Sequence, residues 1–149
     1  MFERIMSIFT AAPKPATLPE RDAQHALGAL MVRAAKIDRA YLFEEVEMID
    51  RILARLNGLN PVEAAKFRAA CERLEQVMPD TGELAEIVHA AIPPTEAEAM
   101  VRALWQVVFA DGVEHEEEDQ LLHQIESVLG VAPDRARAIH DEVKTEMGR

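Results

Sequence analysis

Apolar residues recur along this chain at spacings of three and four, the mark of helices that each bury one face. Leu27, Leu30, Met31, Ala34 and Ile37 form one such stripe, ending near Asp38. Leu42, Val46, Ile49, Leu53 and Leu56 form the next, which stops at Asn57-Gly58, a left-handed cap signal. Asn60-Pro61-Val62-Glu63 reads as a helix start, with Asn as cap, Pro in the first turn and Glu reaching back. The helix it opens turns Ala64, Phe67, Cys71, Leu74 and Met78 inward. Asp80 and Glu83 open a short helix carrying Leu84, Ile87 and Val88, closed by Pro93-Pro94. Thr95 to Glu98 has the form of a capping box for a helix with Met100, Leu104, Val107 and Val108, ending near Asp111. Leu121, Leu122, Ile125, Val128 and Leu129 define another, stopped by Gly130, and Ala136, Ile139 and Val143 mark the last, from Pro133 to about Met147. No segment alternates with period two. The pattern predicts an all-α protein of about seven helices.

Ahead of these elements, Phe2, Ile5, Met6 and Phe9 fall on one face of an amphipathic segment, Met1–Thr10, and the three prolines of Ala11–Pro19 make a linker that cannot continue a helix. The chain therefore divides into an arm with linker, 1–19, and a helical domain, 20–149. The arm has one Arg and too little length for firm membrane attachment. Stable insertion is excluded and peripheral association is the membrane alternative. Docking of Phe2, Ile5 and Phe9 onto the arm's own domain, or onto a second copy in a homodimer, is the favoured expectation.

Composition narrows the class. The 149 residues are 49% hydrophobic but hold only five Phe, one Trp and one Tyr, so the core rests on aliphatic residues and alanine. The longest strongly apolar stretch, Ala103 to Ala110, falls well short of the roughly 20 residues a spanning helix needs. Met1–Thr10 lacks the form of a secretory signal, and a lone Cys71 suits a reducing, cytoplasmic setting. The net charge of −11 is uneven: Pro94–Arg149 holds 13 acids against 5 bases. That bias is opposite to a nucleic-acid binder's. It forms either a solvated helix face or a surface attracting cations and basic protein partners.

A shift of 73 residues lays the chain on itself, placing Asp38 on Asp111, Glu44 on Glu117, Glu45 on Glu118, Ile52 on Ile125 and Leu56 on Leu129. Apolar positions agree too: Met31 with Leu104, Ala34 with Val107, Ile49 with Leu122. In each copy an alanine-rich helix ends at an Asp and a second begins around a Glu seven residues later. The expected architecture is a duplicated helix–loop–helix bundle whose two hairpins cover each other's apolar faces.

The second unit, with Ala110-Asp111-Gly112, Glu118 seven after the Asp, and Leu129-Gly130, resembles the signature of the TerB-like family, named for a tellurite-resistance protein. His115 and the acids after it resemble the subgroup with a lone TerB-like domain. The resemblance spans roughly Arg21 to Lys144. It implies an all-α TerB-like fold, a non-catalytic role in tellurite-type stress response, and acidic residues proposed to bind metal ions. The first unit departs from the pattern, with Arg39 in place of the Gly and Ala40 and Leu42 where acids are usual.

Asp38, Glu45, Asp111 and Glu118 admit two readings. They cap helices at the turns, or they converge across the duplication to hold calcium, magnesium or manganese. An EF-hand is excluded, because Gly112 sits at the second loop position when Asp111 is the first. His115, Asp119 and His123 share one face if their helix starts early, the spacing of a transition-metal pair; surface histidines among acids are the plainer account. His25, His89 and His140 have no motif around them. Cys71 reads as a buried structural thiol, and no nucleophile with its base, phosphate loop or HExxH is present, so catalysis is not expected. Trp105 is either core packing between the hairpins or an anchor for a partner. The rival to a cation-holding module is a metal-free structural adaptor whose acidic half binds a basic protein.

Overall fold

The computed structural model describes residues 22–37, 41–112 and 114–148. Phe2, Ile5, Phe9 and Asp38 lie outside them. Among the described residues there are seven α-helices and no strand: α1 (Ala23–Lys36), α2 (Phe43–Asn57), α3 (Pro61–Val77), α4 (Thr81–Ala91), α5 (Pro94–Val108), α6 (Glu116–Leu129) and α7 (Pro133–Met147). A 3₁₀ turn, Phe109–Asp111, extends α5.

α1 is the axis of the bundle. It packs on α2, α3, α4, α5 and α6, and its buried residues run without a break from His25 to Val32, then include Ala34 and Ala35. Such all-round burial is open to this helix because its sequence is mostly alanine, leucine and glycine. Gly28 marks the closest approach: a Cβ built there would lie 2.2 Å from the Cys71 sulfur on α3. The polar residues at its ends are held. Asp22 accepts the His25 N–H at 2.8 Å and caps the helix, and the His25 ring stacks on Phe67 with centroids 4.1 Å apart. Arg33, near the far end, donates to the Glu75 carbonyl at 2.8 Å, the Pro79 carbonyl at 3.2 Å and the Thr81 hydroxyl at 3.2 Å. One guanidinium thus satisfies the open carbonyl end of α3 and ties it to the start of α4.

The duplication extends further than the helix–loop–helix pairs. α1 and α2 correspond to α5 and α6 at the 73-residue shift. α3 and α7 both begin with Pro in the first turn, at Pro61 and Pro133, so the third helices match at a shift of 72, because α6 is one residue shorter than α2. α4 stands between the two three-helix units, packed on α1 and α6. Gly58 and Gly130 take the left-handed caps expected of them. The expected capping box at Thr95 is not formed: α5 starts at Pro94, which places Thr95 inside the first turn, and its cap position, Pro93, has no side chain able to accept.

Cys71 is fully buried, and burial pushes its thiol up to about 12. The α1–α3 contact yields a direct expectation. Gly28→Ala should lower unfolding stability by about 1–3 kcal/mol, the usual cost of overpacking. The Gly28→Ala/Cys71→Ala pair, which removes the clashing sulfur, should recover most of it in urea melts. An additive loss in the double variant contradicts the contact.

Candidate functional site

The two glutamates shared by the repeats have a definite place. Glu45 and Glu118 are both fully buried. Each lies three residues into its helix and turns back, so that one carboxylate oxygen accepts the backbone N–H of the residue ahead of the helix: Leu42 for Glu45 and His115 for Glu118, both at 2.9 Å. This half of a capping box uses a first-turn carboxylate at the positive end of the helix. It explains why a Glu recurs seven residues after the Asp in both units. Asp111 closes the 3₁₀ turn, and Gly112 follows at φ 81°, a conformation that a side chain at this position would strain. Among the described residues, Glu45, Asp111 and Glu118 do not form a set of three ligand atoms within 4.8 Å of one another.

A different group does meet that geometry. Glu114, from the loop before α6, Asp119 on α6 and His140 on α7 each place one oxygen or nitrogen within 4.8 Å of the others. Three elements converge because the α5–α6 turn lays Glu114 across the face of α7. His140 Nε2 lies 2.8 Å from Glu114 Oε2, and its Nδ1 lies 2.8 Å from Asp141 Oδ1. Its ring stands edge-on to Trp105, 4.6 Å between centroids, and contacts Phe109 at 5.5 Å. Trp105 is itself buried, its indole N–H donating to Glu126 at 2.9 Å, and it walls a cavity of about 670 Å³ that Glu114, Asp119, His123 and His140 also line.

The electrostatics are those of two carboxylates forced together. Burial, reinforced by the hydrogen bond with Glu114 and its charge, pushes Asp119 up to about 6. Burial also opposes ionisation of Glu114, but the hydrogen bonds of Asp119 and His140 outweigh it and hold Glu114 below its ordinary value. His140 is raised: burial opposes its charge and is outweighed by the hydrogen bonds with Asp141 and Glu114. The arrangement is one proton shared between two acids beside an imidazole. Apart from the Glu114 carboxyl itself, no N–H or hydroxyl donor of the described residues reaches the buried Oδ1 of Asp119.

The first unit shows what this corner is for, and what it adds. By the repeat shifts Glu114 corresponds to Tyr41, Asp119 to Val46, His123 to Asp50, His140 to Arg68 and Lys144 to Glu72. Tyr41 donates to Glu72 at 2.8 Å, and Arg68 pairs with Asp50 at 2.6 Å and Glu72 at 2.8 Å. In both units a loop residue is tied to the third helix; in the second the tie runs from Glu114 to His140 and, at 3.6 Å, to Lys144. Asp119, opposite a valine in the first unit, is surplus to that tie.

A family model described as tellurite resistance protein TerB matches residues 24–141. The chain belongs to the TerB family. No curated protein and no solved structure matches it. TerB is not a recognised enzyme family, and among the described residues of this TerB domain no helix is long and apolar enough to cross a membrane.

Sequence reading found Asp119 but set it with His115 and His123. In the structure His115 is the residue ahead of α6, not on its face, and His123 is turned to Glu126 at 3.2 Å, with its side chain 70% exposed. Glu114 and His140 lie 26 residues apart with no local motif joining them. The signal that could find them is the repeat itself, since both stand where the first unit has its Tyr41–Arg68 corner.

The shared proton has a pH signature. Asp119 ionises near 3.8 when unperturbed and near 6 in the folded chain, so the folded state holds a proton that the unfolded chain releases between those values. Stability is greatest below the lower value and is lost as pH rises through 6. In chelator, Asp119→Asn should therefore match the parent near pH 4 and exceed it by about 1 kcal/mol near pH 7 in urea melts. A stability difference independent of pH contradicts the shared proton.

Proposed function

We propose that this chain is a non-catalytic TerB module of stress response that holds a divalent metal ion through Glu114, Asp119 and His140. The carrying observation is Asp119: a carboxylate placed against another carboxylate, with a buried oxygen that no N–H or hydroxyl donor reaches, at a position the structural tie does not require. A dication offsets the repulsion of two carboxylates more fully than a shared proton does. His140 supports the reading. Its Nδ1 is held by Asp141 while Nε2 faces the acids, the outer carboxylate–histidine pairing common around metals. One imidazole and two carboxylates suit manganese, zinc or a similar transition ion better than calcium or magnesium, which favour oxygen alone. The cavity beside the group leaves room for water or a further ligand. Glu45 and Glu118 each have one oxygen committed to a helix start, which makes them poorer candidates for the same task. Tellurite resistance, the activity in the family's description, belongs to this proposal as the stress that such a module serves.

The test is calorimetric titration of metal-free protein with manganese and with zinc. One saturable site should appear, and Asp119→Asn, Glu114→Gln and His140→Gln should each weaken it by about tenfold or more. Asp141→Asn should weaken it less, and Glu45→Gln should leave it unchanged. No binding at millimolar metal, or binding that survives all three ligand variants, overturns the reading. If a partner complex survives chelator yet dissolves in salt, the metal-free acidic adaptor replaces it.

A further inference from the structure

On the side of the bundle where α1, α2, α4 and α5 meet, the helices leave an apolar groove of about 150 Å³. Its floor is Leu27, Leu53, Val88 and Met100, all buried, and Leu56 stands on its rim, 43% exposed. The volume is well below that of ordinary small-molecule sites, roughly 300–1,000 Å³, and matches one large side chain. The groove therefore reads as a receptor for a single apolar anchor, not for a cofactor.

We propose that this groove docks the amphipathic N-terminal segment of the same chain, with Phe9 as the anchor. Where the described chain begins decides the occupant. Asp22 is the first described residue, and the next two, Ala23 and Gln24, line the groove's mouth. The segment that precedes them is thus tethered at the site. Phe2, Ile5, Met6 and Phe9 fall at helical spacing on one face, so a segment that seats Phe9 lays the other three along the rim beside Leu56. The intervening residues 11–21 can extend to about 35 Å, ample to double back over the end of α1. Tethering matters to the energetics: a linked segment is present at roughly millimolar effective concentration, so a one-anchor contact suffices. A separate partner would need a far larger interface, about 1,000 Å² or more, than this groove presents. The inference is independent of the metal reading, which concerns the opposite unit's α6–α7 corner.

Methyl-detected NMR on the full chain tests it. Replacing Phe2, Ile5 and Phe9 together by serine changes no core residue, and it should shift the methyl signals of Leu56, Val88 and Met100 while those of Ile139 and Val143 stay in place. Leu56→Gln, a rim substitution that leaves the core intact, should in turn move the Ile5 and Met6 methyl signals toward those of a free peptide. Groove methyls indifferent to the serine variant overturn the proposal. So do groove signals that revert on dilution, which assign the groove to a second copy. Arm signals that change only when anionic lipid vesicles are added assign the arm to a membrane surface and overturn it equally.

Discussion

The bundle depends on a helix that hides every side. α1 can be surrounded by five neighbours only if its own side chains are small or flexible enough for their axes to come close, and Gly28 against Cys71 is where that requirement is tightest. Interiors packed to crystal-like density transmit such constraints. With α1 fixed, α3 and α4 must lie where they can cover it, and the carbonyl end of α3 is brought beside Arg33, which binds it to α4. The only charges α1 carries thus lie near its C-terminal end, where Arg33 and Lys36 both reach Glu75.

Duplication supplied the rest of the frame and also the asymmetry that matters. Both units keep a buried glutamate in the first turn of their second helix, because each helix start needs an acceptor where water cannot reach. Conservation of a carboxylate between the halves is then a folding requirement first. The loop-to-third-helix corner has diverged instead. In one unit an arginine sits between two acids and satisfies them, with a tyrosine joining the network. In the other a histidine faces two acids, and the site is left short of positive charge. Lys144, 62% exposed and 3.6 Å from Glu114, only partly makes this up.

The uneven charge of the chain acquires a location in this way. Five acids, Glu114 and Glu116 to Asp119, fall in and just ahead of the first turn of α6, where the helix dipole favours them. Three of these, Glu116, Glu117 and Glu118, are accounted for by exposure or by capping. Glu114 and Asp119 are the pair drawn inward, lining one cavity with Trp105 and His140, and the indole there lowers the local polarity that would otherwise screen them.

Sequence alone determined the helices, their order, the caps at Gly58, Asn60, Asp80 and Gly130, the duplication and the family. Those properties are local or periodic: a stripe at three-and-four spacing, an Asn-Pro start, a Gly stop and a repeated Asp-to-Glu interval are visible within a few residues or under a single shift. Thr95 was misread because a proline one place earlier starts a helix without any capping side chain. Tertiary structure decided which acids meet. Glu114 and His140 are brought together by the packing of α7 beneath the α5–α6 turn, a contact across 26 residues that no spacing rule encodes. It also decided that Glu45 and Glu118 turn inward to their own helix starts, since burial of a carboxylate depends on what the neighbouring helices leave open.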